Sequence, residues 1–300
     1  MADTEPYRAG FACFVGRPNA GKSTLTNAII GSKIAITSNR PQTTRHVIRG
    51  ILHQENSQLI LVDTPGLHRP RTLLGQRLND LVRQTWTEVD AIGLCIPANE
   101  KVGPGDRFIT REITDLRAKV IAVVTKADLV SKDELARQLM TVQELGEFAD
   151  IVPCSATTGE NIDAVTKVLS GHLPESPQLY PDGMITEEPE RVLMAEMIRE
   201  AALEGVKDEL PHSIAVVIED IEDEEVDGSP RKRIFAEIFV ERNSQKSIVI
   251  GRRGERLKRV GTKARKDIAK LVDQRVYLDL HVRVAKEWQR DPKLLRRLGF

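Results

Sequence analysis

Short apolar runs recur through the first half of the chain, at residues 11–15, 59–62, 91–96, 120–124 and 151–154. Segments whose apolar positions repeat every three to four residues follow them, near 22–30, 73–87, 106–116, 131–146 and 161–170. An unbroken apolar run suits a strand buried on both faces. Such strands alternating with helices predict an α/β architecture, a mainly parallel sheet covered on both sides.

The pattern then changes. Residues 172–189 carry Pro174, Pro177, Pro181 and Pro189, with Asp182 and Gly183 between them, and read as an inter-domain linker. Beyond it Leu193, Met194, Met197, Ile198 and Ala201 form a helical stripe. Residues 213–218 read as a strand, the acidic 219–227 as a solvated hairpin loop, Gly228, Ser229 and Pro230 as a turn, and 234–240 as a second strand. A glycine-punctuated helical region follows, with Ala264, Ile268, Leu271 and Val272 on one face. Val276, Leu278, Leu280, Val282 and Val284 then alternate as a last strand. The order helix-strand-strand-helix-helix-strand predicts a small α+β domain. The expected limits are 1–178 for the first domain, 179–188 for the linker, and 189–300 for the second domain with a C-terminal tail.

At 300 residues, 40% hydrophobic and 29% charged, the chain is long enough for two such domains. Its 44 Lys+Arg balance 44 Asp+Glu, which taken alone argues against a polyanion partner. The distribution changes that picture. Residues 231–300 hold 21 Lys+Arg against 8 Asp+Glu, so the last quarter is net +13 and the remainder −13. A basic module joined to an acidic one points to nucleic acid. Cys13, Cys95 and Cys154 have no metal-ligand or disulfide spacing and read as buried small hydrophobes in a reducing cytosol. The six histidines show no metal spacing, and Trp86 and Trp288 read as packing residues. No apolar run approaches the roughly 20 residues of a membrane span, and no signal peptide is evident. The expectation is therefore a cytoplasmic protein. Its last residues, Leu294 to Phe300, read as a docked tail in preference to a membrane-surface contact.

The chemistry begins with Gly16-Arg17-Pro18-Asn19-Ala20-Gly21-Lys22-Ser23, a G-x-x-x-x-G-K-[ST] loop placed between a strand and a helix. Its glycines let backbone N–H groups converge on phosphate oxygens at a helix N-terminus. Lys22 would span the β- and γ-phosphates, Ser23 would ligate Mg²⁺, and Thr24 would reach the α-phosphate. Asp63-Thr64-Pro65-Gly66 ends the run 59–62, so Asp63 can hold Mg²⁺ through water and the Gly66 N–H can meet the γ-phosphate. Thr125-Lys126-Ala127-Asp128 follows the run 120–124. The two carboxylate oxygens of Asp128 suit the N1–H and 2-amino donors of guanine, a pair that adenine lacks. Lys126 would lie along the base. Asparagine usually occupies the position of Thr125; threonine keeps one polar contact and loses an amide. Ser155-Ala156 would supply a backbone N–H to the guanine O6. In the polar segment 37–49, Thr44 is preferred to Thr43 as the residue reaching Mg²⁺ and the γ-phosphate.

In the basic quarter, Gly251-Arg252-Arg253-Gly254 is a G-x-x-G loop between helical segments 245–250 and 255–260. Such loops clamp a sugar-phosphate backbone, because glycine permits so close an approach. Lys246, Arg256, Lys258, Arg259 and Lys263 surround it, and Ile248 and Ile250 would line the groove on which bases rest. Few aromatics are present, which favours backbone clamping over a stacking platform.

Together these motifs resemble the Era family of GTPases from Gly10 to about Gly299: one G domain followed by a type II KH domain. The resemblance implies a GTPase using GTP/GDP and Mg²⁺ that acts on small-subunit, 16S-type rRNA near its 3′ end in assembly of the 30S subunit. Peripheral membrane association is also implied, and no obligate protein partner is evident. In related GTPases an asparagine at the position of Asn19 coordinates a monovalent cation, so K⁺ is a candidate here. Leu67 stands where many small GTPases carry a water-orienting glutamine, so slow turnover is expected, with Lys22, Thr44, Asn19 and Gly66 as the catalytic set. Rival readings are a P-loop kinase or ATPase, a lipid-binding signalling GTPase, and a tRNA-modifying GTPase. They lack, respectively, a second substrate site, an account of the G-x-x-G loop, and a catalytic cysteine near the C-terminus.

If Asp128 reads guanine, Asp128→Asn places an amide N–H₂ where xanthine presents its 2-oxo group. GTP binding should collapse and XTP binding appear, as measured by competition titration; unchanged GTP affinity would remove the assignment.

Overall fold

The computed structural model describes residues 6–37, 44–67, 70, 72–206 and 210–300. The chain forms two compact units, Met1–Arg69 with Leu78–Glu187, and Pro70–Arg77 with Glu188–Phe300.

In the first unit the elements run β1 (Arg8–Val15), α1 (Lys22–Ile30), β2 (Ile48–Gln54), β3 (Ser57–Asp63), α2 (Leu73–Glu88), β4 (Ala91–Pro97), α3 (Pro104–Thr114), β5 (Lys119–Thr125), α4 (Lys132–Gln143), β6 (Ile151–Pro153) and α5 (Ile162–Gly171). The first turn of α2 groups with the second unit. The sheet order is β2-β3-β1-β4-β5-β6, parallel throughout except for β2, which runs antiparallel to β3. Every residue of β3 and β4 is buried, which is why those strands read as continuous apolar runs. Parallel order brings the carboxyl ends of β1, β3, β5 and β6 to one edge, where ligands of open α/β sheets bind.

Strand β2 is an element the apolar pattern does not announce. Arg49, Gly50 and His53 interrupt it, while Ile48 and Ile51 are buried. The proline-bearing stretch lies along this part of the unit. Buried Gln58 of β3 accepts from the backbone N–H of Leu179 (2.8 Å) and Tyr180 (2.9 Å) and donates to Tyr180 O (2.8 Å). Ile51 N donates to Ile185 O at 2.9 Å, and the Thr186 hydroxyl donates to Arg49 O at 2.7 Å. Glu187 takes the Tyr180 hydroxyl (2.7 Å) and an ion pair with Arg49, which together hold its carboxyl below the usual range.

The second unit comprises α6 (Glu190–Leu203), α7 (Leu210–Ser213), β7 (Ala215–Val226), β8 (Ser229–Val240), α8 (Asn243–Ile250), α9 (Glu255–Val272), β9 (Arg275–Val284) and α10 (Pro292–Arg297). Its sheet order is β7-β8-β9, with β7 antiparallel and β9 parallel to β8. Ile198, Ala202, Ile234, Ile238, Ala264 and Ile268 form the centre of its core.

Two expectations change here. The acidic run is strand, not loop: β7 continues to Val226, and the turn is Asp227-Gly228, both at positive φ (52° and 70°), which twists the backbone as a two-residue hairpin requires. Acidic residues are poor strand formers alone, but two of these face bases directly. Glu224 meets Arg231 at 2.6 Å and Asp223 meets Lys232 at 2.8 Å. The C-terminal residues dock, as expected: Leu295 and Leu298 are buried, and Phe300 stacks on buried Trp288 at 5.7 Å. No helix among the described residues is long and apolar enough to cross a membrane.

Gln58→Leu keeps the volume but strands three backbone groups of the 179–180 segment. Each unmade hydrogen bond of a buried group costs about 1–3 kcal/mol, partly relieved here by water. A loss of about 2–3 kcal/mol in denaturant unfolding, with earlier proteolytic cleavage in the segment from Pro177 to Glu187, is expected.

Candidate nucleotide site and nucleic-acid interface

The loop after β1 turns back on itself. Gly16 has φ 153°, and a Cβ there would stand 2.6 Å from the Cys95 carbonyl oxygen of β4. That contact brings the loop down onto the sheet edge. Lys22, the first residue of α1, is buried, and its Nζ donates to Gly16 O (3.0 Å) and Arg17 O (2.9 Å). Burial pulls its ammonium below the ordinary value, and the Asp63 carboxylate opposes that shift.

Ser23 Oγ donates to Asp63 Oδ2 at 2.9 Å, and Thr44 Oγ1 donates to the same oxygen at 3.2 Å. The two hydroxyl oxygens are 3.1 Å apart. Three residues from three segments thus place hard oxygen donors around one point, the donor type Mg²⁺ takes. Thr43 lies outside the described residues. Thr64 and Pro65 are buried, and Gly66 lies beside Lys22, where a Cβ would stand 3.6 Å from Nζ. Leu67 packs into the apolar cluster beneath the sheet edge. Pro18, Asn19 and Thr24 are exposed along the rim, Asn19 at φ 64°.

On the opposite side, Thr125 is buried and its Oγ1 donates to Ala20 O at 2.8 Å, tying the end of β5 to the phosphate loop. Lys126 adopts φ 58° and reaches Glu100 at 3.4 Å; Asp128 is exposed. Ser155 is buried, and its backbone N–H is committed to Glu160 O at 3.0 Å. Of the pair Ser155-Ala156, the Ala156 N–H is therefore the one left to face a base oxygen.

In the second unit α8 ends at Gly251 (φ 75°, ψ 178°), where a Cβ would stand 2.6 Å from Arg256 Cβ. A single 3-10 turn, Arg252–Gly254, leads into α9. Arg252, Arg253, Lys258 and Arg259 are exposed, and Ile248 is 50% exposed beside them. Ile250 packs partly into the core. Arg256 is turned away from this surface: its Nη2 donates to Ala202 O (3.1 Å) and Glu204 O (2.8 Å), carbonyls at the end of α6.

Comparison with known proteins bears on both units. A family model described as "50S ribosome-binding GTPase" matches residues 11–126, and a KH-domain model matches 209–289. GTPase Era of Streptomyces coelicolor is 62% identical over 303 residues, spanning 98% of this chain and 95% of that protein. GTPase Era of Mycolicibacterium smegmatis is 63% identical over 297 residues, 98% of this chain and 99% of that one. The chain belongs to the Era GTPase family. Among solved structures, Era in complex with MgGDPNP and nucleotides 1506–1542 of 16S ribosomal RNA superimposes with a TM-score of 0.92 at 36% identity, covering 98% of this chain and 99% of that one. A single-residue variant of Aquifex aeolicus Era bound to GDP·AlF4⁻ gives the same TM-score and identity over 97% and 99%.

As an Era-family enzyme the chain is a GTPase, a P-loop domain followed by a KH domain. Two side chains that sequence reasoning passed over stand at its nucleotide site: Glu100, and Asp106, which is 1% exposed. The signal for Asp106 was present in Gly103-Pro104-Gly105-Asp106, since a proline followed by an acid at the third helical position marks a helix start.

Thr125→Val removes one hydroxyl without changing shape and leaves Ala20 O without its donor. An affinity loss of about five- to tenfold for GDP and GTP alike is expected, from about 1 kcal/mol for one hydrogen bond. Titration with a fluorescent GDP measures it.

Proposed function

We propose that the first unit binds GTP through Gly16 to Thr24, Asp63 to Gly66, Thr125, Lys126, Asp128 and the Ser155-Ala156 loop. Lys22 sits where it would span the β- and γ-phosphates, exchanging its two carbonyl partners for anionic oxygens. Ser23 and Thr44 would ligate Mg²⁺, and Asp63 would hold it through water. The bound ion supplies neutralisation of charge on the phosphate oxygens. Gly66 offers its backbone N–H to the γ-phosphate. With Leu67 packed inward, no side chain of that position orients the attacking water, so slow intrinsic turnover is expected. Asn19 is the candidate ligand for K⁺.

The observation that carries the reading is the meeting of Ser23, Thr44 and Asp63 within 3.2 Å, although 21 and 19 residues separate Thr44 from the other two. It is supported by an Era structure of 36% identity that holds MgGDPNP and the 3′ segment of 16S rRNA. On the same likeness, the second unit clamps small-subunit rRNA near its 3′ end, through Gly251 to Gly254, with Lys258, Ile248 and Ile250 alongside. The GTPase then serves 30S subunit assembly, with nucleotide state coupled to RNA binding. We place it in the cytoplasm; the inward docking of Leu295, Leu298 and Phe300 leaves little apolar surface in the tail for a membrane contact.

Replacing Arg252 and Arg253 together with Asp should remove most affinity for a 16S 3′-end oligonucleotide and leave GDP binding intact. Wild-type affinity should fall with salt at a log–log slope of about −0.7 per phosphate contact. RNA affinity should differ between GDP and a non-hydrolysable GTP analogue by about 5- to 150-fold if the states are coupled. Normal RNA binding by the double variant would place the interface elsewhere.

A further inference from the structure

A chain of charged side chains links the two halves of the nucleotide site. Arg17, inside the phosphate loop, donates from Nε to Asp106 Oδ1 at 2.8 Å, and its Nη2 lies 3.4 Å from Glu100 Oε2. The other oxygen of Glu100 lies 3.4 Å from Lys126 Nζ. Asp106 is the anchored end: it is 1% exposed, and its second oxygen accepts the Gly103 N–H at 2.8 Å at the start of α3. The stretch that carries Glu100 is itself held. Gln138 of α4 donates to Glu100 O (2.9 Å) and Pro97 O (3.1 Å), and Ala98 N donates to Thr125 O at 2.7 Å. Two cations and two carboxylates alternate, so the chain is neutral and each charge is paired.

We propose that Arg17 is a positioning residue for guanine recognition: through Glu100 it fixes Lys126, and so the base-binding loop, at a set distance from the phosphate loop. The inference deepens the nucleotide-site reading and rests on Lys126 and Asp128 being the guanine loop. The direction of the effect follows from what else holds each part. The phosphate loop keeps its shape by bonds to its backbone, Ala20 N to Arg17 O (3.2 Å) and Lys22 Nζ to Gly16 O and Arg17 O. The Lys126 side chain instead leans on Glu100, and its backbone sits in a left-handed conformation (φ 58°) that a lysine adopts only when its surroundings impose it. Removing the Arg17 guanidinium therefore frees the side chains of Glu100 and Lys126 while the phosphate cradle stays in place. The side chain thus serves the base, although its backbone belongs to the phosphate motif.

The test titrates the full chain with fluorescent GDP and, in competition, with tripolyphosphate, which has phosphates and no base. Arg17→Ala should weaken GDP about tenfold and tripolyphosphate by less than about twofold, the scale of one charge-assisted contact. Arg17→Lys keeps a charge but cannot bridge Asp106 and Glu100 together, and should fall between. Glu100→Gln should weaken GDP about threefold, and should add little in the Arg17→Ala background because the two act in series. Equal losses for GDP and tripolyphosphate would make Arg17 a brace of the phosphate loop and overturn the proposal. So would additive losses from Arg17→Ala and Glu100→Gln, or no loss at all. If Arg17→Ala does not fold, Glu100→Gln and Arg17→Lys carry the same comparison. Asp128→Asn separates the two failures. If that change spares GDP affinity, the guanine-loop assignment fails and the Arg17 proposal with it, whereas a collapse there with no effect at Arg17 overturns the Arg17 proposal alone.

Discussion

A buried ammonium sets the terms for the first unit. Lys22 is held by two carbonyl oxygens at 2.9 and 3.0 Å, and burial disfavours its charge. Two neutral dipoles hold a cation without cancelling it, so the seat is built for anionic oxygens to complete. The residues around it shape that seat. A Cβ at Gly16 would stand 2.6 Å from Cys95 O, so only a glycine loop reaches the sheet edge. Beneath it Cys13, Cys95 and Cys154 are buried thiols whose ionisation burial suppresses, that of Cys154 to about 12, so no competing anion forms under the lysine. Asp63, buried at the end of β3, is the carboxylate that opposes the penalty, and it is also the residue that gathers the Ser23 and Thr44 hydroxyls.

The second unit solves a different electrostatic problem. Its excess positive charge is divided between residues neutralised within the fold and residues presented to solvent. Arg231 and Lys232 are met by Glu224 and Asp223 across the β7–β8 hairpin. Lys263 is met by Glu204. Arg252, Arg253 and Arg259 stay exposed around the loop from Gly251 to Gly254. The net +13 of residues 231–300 therefore overstates the charge offered to a polyanion, because the acids that offset its first members lie just before residue 231. What remains is concentrated around Gly251 and Gly254, the proposed clamp for a sugar-phosphate backbone.

Much of this was legible in the chain itself. The strands β1, β3, β4 and β5 follow the apolar runs, because a parallel strand buried on both faces has no polar positions to spare. The phosphate loop, the segment after β3 and the loop after β5 each stand on a strand end within a few residues of sequence. Local backbone geometry suffices to specify them. The helix-strand-strand-helix-helix-strand frame of the second unit was legible from periodicity and the glycine break, but the short helices α7 and α10 were not.

Other features were settled only in three dimensions. Strand β2 carries Arg49, Gly50 and His53 and becomes a strand because β3 supplies its partners. The acidic run 219–227 looks like a solvated loop until Glu224 and Asp223 meet their bases across a turn at Asp227-Gly228. The bond from Thr125 to Ala20 spans 105 residues, and that from Arg17 to Asp106 spans 89. Nothing in either local segment announces its partner. Sequence by itself determined the motifs and the order of elements, because those depend on side-chain periodicity and on backbone geometry over a few residues. Which polar groups meet across the site was decided by the tertiary structure alone, because parallel strand order brings to one edge segments that the chain keeps far apart.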